Sequence, residues 1–76
     1  MSLNDQEAAS HTLSHRVTEL RKKHKLTLGQ LATESGVSRS MLSQIERGQA
    51  NPTLTVTFRI GQAFGMSIGE LVDQPW

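Results

Sequence analysis

Three short segments of this chain begin with the same arrangement of side chains, one that is typical of the start of a helix. Each has a hydroxyl residue that can cap a helix, an apolar residue just before it, and another apolar residue five positions after that one, as in a hydrophobic staple. The three caps are Thr27, Ser38 and Ser67. The three residues that can end helices at positive φ are Gly36, Gly48 and Gly65. In a chain of 76 residues, these signals predict an all-α fold built from short helices.

A further helix is predicted ahead of the first cap, over residues 12–24. Leu13, Val17 and Leu20 recur at helical spacing, and the opposite face is polar. His24 continues the same stripe, so we expect its ring to be partly buried.

The length of the chain fits a single domain. Residues 1–9 are polar and aperiodic, and we expect them to form a flexible N-terminal arm. Residues 10–73 then make up the folded domain, and residues 74–76 a short C-terminal tail.

The segment TLTVTFRI, residues 53–60, carries two conflicting signals. Apolar and polar side chains alternate and β-branched residues are abundant, which locally favours a strand. The helical alternative begins with Thr53 as a cap. It would place on one side Leu54, Thr57, Phe58, Gly61 and Phe64. A lone strand in an otherwise helical chain would leave its backbone groups without hydrogen-bond partners, so a helix is predicted.

The segment GVSRSMLSQIERG, residues 36–48, has a polar face of unusual composition. On a helical wheel at about 100° per residue, its apolar side chains fall on one arc. The other arc carries Arg39, Ser40, Ser43, Gln44 and Arg47. A solvated face is the alternative reading, but such faces favour Glu and Lys. Arg, Ser and Gln are side chains that contact bases and phosphates, so this face favours a nucleic-acid partner.

Charge is segregated along the chain, although the net charge is only +1. All eight Lys and Arg residues lie between Arg16 and Arg59 with only three acids, so that stretch carries +5. The other four acids lie towards the two ends. A basic middle suits a polyanionic partner.

Other functional classes find little support in the composition. The chain has no Cys, and His11 and His15 lie one helical turn apart without a third ligand, so no metal site or cofactor is expected. No apolar run approaches the roughly 18–20 residues that cross a bilayer, and the polar start of the chain is not a signal peptide. So short a chain hardly encloses a catalytic cleft, and no catalytic triad is evident, so the protein is not expected to be an enzyme.

The stretch from Leu20 to Val72 resembles the XRE-type, phage-repressor-like helix-turn-helix regulators. The resemblance rests on TLGQLATES, GV and SRSMLSQIERG, and above all on the run GVSRSMLSQIERGQANPTL. That run is especially similar to the DNA-binding domain of regulators that also carry a cupin sensor domain. The resemblance implies a compact five-helix domain whose helices 2 and 3 form the helix-turn-helix. It implies that residues 38–47 form a recognition helix in the major groove, and that residues 53–64 are helical.

The resemblance also implies roles for single residues. Family positions that contact bases are occupied by Arg39, Ser40, Ser43 and Gln44. Five residues are expected at DNA phosphates. Arg47 and Asn51 are expected there by family position, Lys22 and Lys23 by their charge, and Thr27 by its place at the start of the second helix. Arg21 and Glu46 match a pair that the family joins as a partly buried salt bridge.

Four positions depart from the pattern of the family. Leu28 replaces a Gln that contacts phosphate in many relatives. Gly29, inside the second helix, costs roughly 1 kcal/mol relative to Ala. Thr57 and Gly61 stand where larger apolar residues are common.

Two functions are open on this fold. The first is sequence-specific binding of double-stranded DNA, as a homodimeric cytoplasmic transcriptional regulator. The second is an antitoxin-like or adaptor module that binds protein through the same polar arc. An exposed apolar patch around Val56, Phe58 and Trp76 would favour the second, or would be the dimer surface of the first.

Overall fold

Five α-helices follow one another along the part of the chain that the structure describes, with no strand among them. The structure, a computed structural model, describes the backbone of residues 3–72 and the side chains of residues 13–72. The helices are α1 (Leu3–Lys23), α2 (Leu28–Ser35), α3 (Arg39–Glu46), α4 (Leu54–Ala63) and α5 (Ile68–Val72). The predicted all-α, five-helix architecture is confirmed.

The predicted caps all form. The Thr27 hydroxyl accepts from the Gln30 amide at 3.0 Å, and the Gln30 side chain accepts from the Thr27 amide at 2.8 Å, which completes a capping box. Ser38 accepts from the amide three residues on at 3.1 Å. Ser67 and Glu70 form a second box, with bonds of 3.1 and 3.2 Å. The bonds from the Ser67 amide and hydroxyl lower the pKa of the Glu70 carboxyl, because they favour its charged form.

One hydrophobic core receives side chains from all five helices. α3 packs against α1 and α2, α4 packs against α2 and α5, and α5 returns to α1. The buried apolar residues are Leu13, Val17, Leu20, Leu31, Val37, Leu42, Ile45, Ile60, Phe64 and Leu71. The apolar stripe predicted for the first helix is therefore part of the core.

α1 is longer than predicted. It begins at Leu3, nine residues before the expected start at residue 12, so the backbone of residues 3–9 is helical. Glu7, Ala8 and Ala9 are strong helix formers, which allows the helix to continue without an apolar stripe. The predicted tail at residues 74–76 lies outside the described residues.

α1 ends in a left-handed turn that contains no glycine. Lys25 takes a left-handed conformation with φ of 57°, and the Leu26 amide donates to the Arg21 carbonyl at 3.0 Å. Because the helix ends at Lys23, His24 leaves the apolar stripe. The expectation of a partly buried His24 is wrong, since the residue is exposed. One side of its ring still packs on Phe64, with ring centroids 5.1 Å apart.

α4 resolves the conflict over residues 53–60 in favour of a helix, with Thr53 as its cap. Its inner face is not the predicted one, because Leu54 is 72% exposed and Phe58 49% exposed. The buried residues on this helix are Thr57, Ile60 and Gly61. An alternating pattern wound into a helix places apolar side chains all around the axis, so some of them must point outwards.

Gly61 permits a close approach between α4 and the turn that follows it. A Cβ at this position would lie 2.8 Å from the Met66 carbonyl oxygen. The Met66 amide donates to the Gly61 carbonyl at 2.8 Å, so the two backbones are fixed against each other. A larger residue does not fit here without moving backbone, which explains this departure from the family pattern.

The ion pair expected between Arg21 and Glu46 is present and joins α1 to the end of α3. Arg21 Nε and Nη2 donate to the two carboxylate oxygens at 2.7 and 3.0 Å, and Nη1 donates to the Leu26 carbonyl at 2.9 Å. The side chains are only 18% and 10% exposed. The hydrogen bond to Glu46 raises the pKa of Arg21 further above its ordinary value.

Replacing Gly61 by Ala should destabilise the fold, because the added Cβ meets backbone that cannot rotate away. We expect the free energy of unfolding to fall by about 1–3 kcal/mol, the usual cost of overpacking. Urea denaturation of both proteins measures the difference. Gly29→Ala is the matched control: its Cβ comes no nearer than 3.9 Å to Thr27 Oγ1. That variant should be more stable by up to about 1 kcal/mol. Equal stability of the Gly61 variant and wild type would contradict the packing argument.

Removing one member of the Arg21–Glu46 pair should cost more than removing an exposed cation. Arg21→Met leaves the carboxylate buried without its partner, and we expect a loss of about 3 kcal/mol in unfolding free energy. Lys22→Met, at the exposed neighbouring position, should change stability by less than about 0.5 kcal/mol. The double variant Arg21→Met/Glu46→Leu should recover much of the loss, because no charge is then left buried. Chemical denaturation of wild type, Arg21→Met, Glu46→Leu and the double variant gives the coupling energy, and a value near zero would refute this account.

Candidate nucleic-acid interface

α3 presents its polar arc to the outside. Arg39, Ser40 and Gln44 are exposed and Ser43 is half-buried. On the opposite side of the helix, Leu42 and Ile45 are fully buried in the core. The hydrophobic contacts therefore fix which face α3 turns outwards.

The side chains at the centre of this face form no hydrogen bonds with other described residues of the protein. Among the contacts of the described residues, no intramolecular hydrogen bond involves the side chains of Arg39, Ser40 or Gln44. Arg39 and Ser40 lie in the first turn after the Ser38 cap, and Gln44 follows one turn after Ser40. A guanidinium, a hydroxyl and an amide are thus available for hydrogen bonds at the surface of α3.

Arg47 and Asn51 continue the polar surface beyond the end of α3, and both are exposed. Arg47 caps the helix, and its Nε donates to the Ser43 carbonyl at 3.3 Å. This bond holds the guanidinium near the helix end while its remaining N–H groups stay on the surface. Gly48, at φ of 69°, then turns the chain towards Asn51.

The other predicted phosphate contacts lie at the junction of α1 and α2. Lys22 and Lys23 are exposed in the last turn of α1, four to five residues before Thr27. The Thr27 hydroxyl accepts a bond within its capping box, so its proton is still available to an external acceptor. The box uses the amides of Thr27 and Gln30, which leaves those of Leu28 and Gly29 at the positive end of the α2 dipole.

Glu46 attaches the end of α3 to α1 by its backbone as well as by its side chain. The Ser14 hydroxyl donates to the Glu46 carbonyl, and Arg21 binds the carboxylate. Ser14 is buried, and sequence reasoning did not identify it. The available signal was its spacing: Ser14 precedes Arg21 by two helical turns, so both face the same neighbour.

An open cleft of about 350 Å³ separates the start of α3 from the start of α4. Val37, Met41 and Val56 form its apolar wall. Arg59 lies at its edge, with Nη1 3.5 Å from the Gly36 carbonyl oxygen. Sequence reasoning did not single out this cleft.

Two other kinds of site find no counterpart in the described part of the chain. Its His, Asp and Glu residues nowhere gather in groups of three that could hold a metal ion, and His15 instead lies 3.4 Å from Glu19. None of its helices combines the length and the apolar character needed to span a membrane.

Comparison with known proteins identifies the family. A sequence model of the Helix-turn-helix family matches residues 17–71. The immunity repressor protein of Bacillus phage phi105 is 36% identical over 63 residues, which are 83% of this chain and 44% of that protein.

Solved structures agree with the family match. An HTH_3 family transcriptional regulator from Vibrio cholerae has a TM-score of 0.81 at 31% identity, over 86% of this chain and 36% of that one. The restriction-modification controller protein C.AhdI from Aeromonas hydrophila has a TM-score of 0.78 at 33% identity, over 84% and 97% of the two chains.

The chain thus spans less than half the length of the phage repressor and of the Vibrio regulator, and matches nearly all of C.AhdI. The family match runs from α1 into α5 and includes the turn between α2 and α3. On this coverage, the chain belongs to the XRE-type helix-turn-helix family.

Proposed function

We propose that the protein binds double-stranded DNA in a sequence-specific manner, as a transcriptional regulator, with α3 in the major groove. The observation that carries this proposal is the outer face of α3. Arg39, Ser40 and Gln44 are exposed, and their side chains make no hydrogen bonds among the described residues, while Leu42 and Ile45 on the inner face are buried in the core. A helix of this width fits the major groove, where each base pair presents its own pattern of donors and acceptors.

Arg39 and Gln44 are the proposed base readers. A guanidinium can donate two hydrogen bonds to guanine, and a glutamine amide can pair with adenine in the same bidentate way. Ser40 and Ser43 are shorter and can bond to either donors or acceptors, so they add contact with less selectivity.

The proposed phosphate contacts flank this face. Lys22 and Lys23 contribute positive charge from the end of α1, and Arg47 does so from the end of α3, where Asn51 adds a neutral amide side chain. The start of α2, at Thr27, adds backbone amides at the positive end of a helix dipole. Contacts of this kind release counterions and make binding dependent on salt, without reading sequence.

The names of the relatives support a regulatory role. They include a phage immunity repressor and, in Escherichia coli, the HTH-type transcriptional regulator SutR, which is 32% identical over 63 residues. A bacterial or phage regulator meets its DNA in the cytoplasm, so we place the protein there. The arrangement with a cupin sensor domain stays a prediction.

We further propose that the protein binds as a homodimer through the outer face of α4. Leu54 and Phe58 lie one helical turn apart and are both exposed, so they form an apolar stripe on the surface. A two-fold dimer would set two α3 helices on half-sites about 34–36 Å apart, one turn of DNA.

The same stripe supports the second candidate, a module that binds another protein. Val56 is half-buried at the edge of the cleft, and Trp76, the third residue of the patch predicted from the sequence, lies outside the described residues. A module of this kind would show no gel shift with any duplex at low salt, and it would recover a protein partner in a pull-down.

Loss of Arg39 or Gln44 should remove discrimination between sequences. We would first select bound sequences from a random pool of duplexes, then titrate the selected duplex and a scrambled one over a salt series. Arg39→Ala and Gln44→Ala should each lower the preference for the selected duplex by about 1–3 kcal/mol. Lys22→Ala is the control. Loss of a phosphate contact should lower the affinity for both duplexes alike and reduce the slope of log affinity against log salt concentration by about one. Uniform losses in the Arg39 and Gln44 variants would assign these residues to the DNA backbone instead.

An acidic residue in the α4 stripe should uncouple the two half-sites. Leu54→Asp should abolish the advantage of a duplex with two half-sites over one with a single half-site, and should leave the protein monomeric in sedimentation. Because Leu54 is largely exposed, the fold should lose less than about 0.5 kcal/mol. Val72→Asp adds the same charge at another exposed apolar residue and should keep the advantage. A dimer that survives the Leu54 substitution would place the interface elsewhere.

A further inference from the structure

We propose that Ser14 is a positioning residue for base readout, although it lies in the core region of α1 and is only 9% exposed. The inference rests on the proposed DNA-binding function. Its starting point is the hydrogen bond from the Ser14 hydroxyl to the backbone carbonyl of Glu46, the last residue of α3.

The carbonyls at the end of a helix have no partner within it and must be satisfied from outside. At the end of α3, the carbonyls of Gln44 and Ile45 accept from the turn that contains Gly48. Among the described contacts, the Glu46 carbonyl receives its hydrogen bond from Ser14 alone. Ser14 therefore completes the α3 terminus from a different helix.

The two attachments of Glu46 act on different parts of the residue. Arg21 holds the carboxylate, which is separated from the backbone by rotatable bonds, so that bond alone permits the helix to tilt. Ser14 holds the carbonyl, whose direction follows the helix axis. Ser14 and Arg21 lie two turns apart on one face of α1, and together they fix the direction of α3.

A tilt of α3 about its far end would act most strongly on the base readers. The eight residues of α3 span about 12 Å at 1.5 Å per residue. A pivot of about 10° at Glu46 therefore moves Arg39 by roughly 2 Å, whereas a bidentate contact needs placement within about 0.5 Å. Lys22 and Lys23 lie on α1 and would keep their reach to the phosphates. Loss of the Ser14 bond should thus reduce discrimination more than affinity in general.

The test compares Ser14→Ala with wild type on the selected and the scrambled duplex at one salt concentration. The quantity compared is the Kd for the scrambled duplex divided by the Kd for the selected duplex. Partial unfolding lowers the fraction of protein that can bind DNA. It therefore raises the apparent Kd for both duplexes by the same factor and leaves the ratio unchanged. We expect the ratio to fall by about fivefold or more, the lower end of what one misplaced bidentate contact removes. The salt slope on the scrambled duplex should not change.

Thr18→Ala is the matched control. It removes another hydroxyl from the same face of α1, one that donates to the Ser14 carbonyl within the helix at 2.9 Å and makes no hydrogen bond to α3 among the described contacts. Its ratio should equal that of wild type. If Ser14→Ala does not fold, Ser14→Cys takes its place, because the thiol is a weak donor and should give the same fall in ratio.

The outcomes separate the two proposals. Wild-type protein without preference for any duplex would overturn the proposed function, and this inference with it. A wild-type preference that the Ser14 variants keep within twofold would overturn the inference alone. An equal fall in Thr18→Ala would also overturn it, because the cause would then lie in α1 as a whole.

Discussion

The bond pattern around Glu46 is the constraint on which the outer surface of the protein depends. Glu46, at the end of the helix that carries the polar face, accepts a bidentate pair of bonds from Arg21 at its carboxylate and a bond from the Ser14 hydroxyl at its backbone carbonyl. A buried ion pair offsets most of its Coulombic gain by the cost of desolvation, so its value lies more in specifying geometry than in stability. A hydrophobic residue at either position would pack, but it would not define where α3 points.

The bonds to Glu46 matter because α3 depends on contacts with the rest of the protein for its stability and its orientation. With eight residues it is too short to be stable alone, and α2 has the same length. Each relies on a cap at its start and on apolar contacts along one side. Leu42 and Ile45 prevent rotation of α3 about its axis, since either would be exposed by a half turn. Met41 packs on the core near the start of the helix, and the bonds to Glu46 hold its end.

Signals confined to a few neighbouring residues were read correctly from the sequence. The caps at Thr27, Ser38 and Ser67 formed, because a hydroxyl bound to an amide three residues on is decided locally. The outward side of α3 was likewise predicted, since helical periodicity alone separates its apolar arc from its polar one. The Arg21–Glu46 pair joins residues 25 positions apart, and only the resemblance to a family could supply it.

Features that depend on distant contacts, or on the absence of a strong local signal, were misread or missed. The early start of α1 was missed because that part of the chain has helix-forming residues but no apolar stripe. The left-handed turn at Lys25 replaced the continuation that would have buried His24. Ser14 was overlooked because its partner is a backbone carbonyl, which leaves no trace in the sequence of α3.

The misread face of α4 has a different origin. A prediction from periodicity assigns every apolar side chain of a helix to the core of the same chain. Leu54 and Phe58 point outwards because Thr57, Ile60 and Gly61 occupy the inner face, and Gly61 must be there for the next turn to approach. Apolar side chains that the fold leaves exposed gain nothing from burial in an isolated monomer, and Leu54 and Phe58 lie one helical turn apart on this surface. The strand-like pattern of residues 53–60 thus reflects an inner face set by packing and an outer apolar stripe that the fold leaves exposed, where we propose that a second copy of the protein binds.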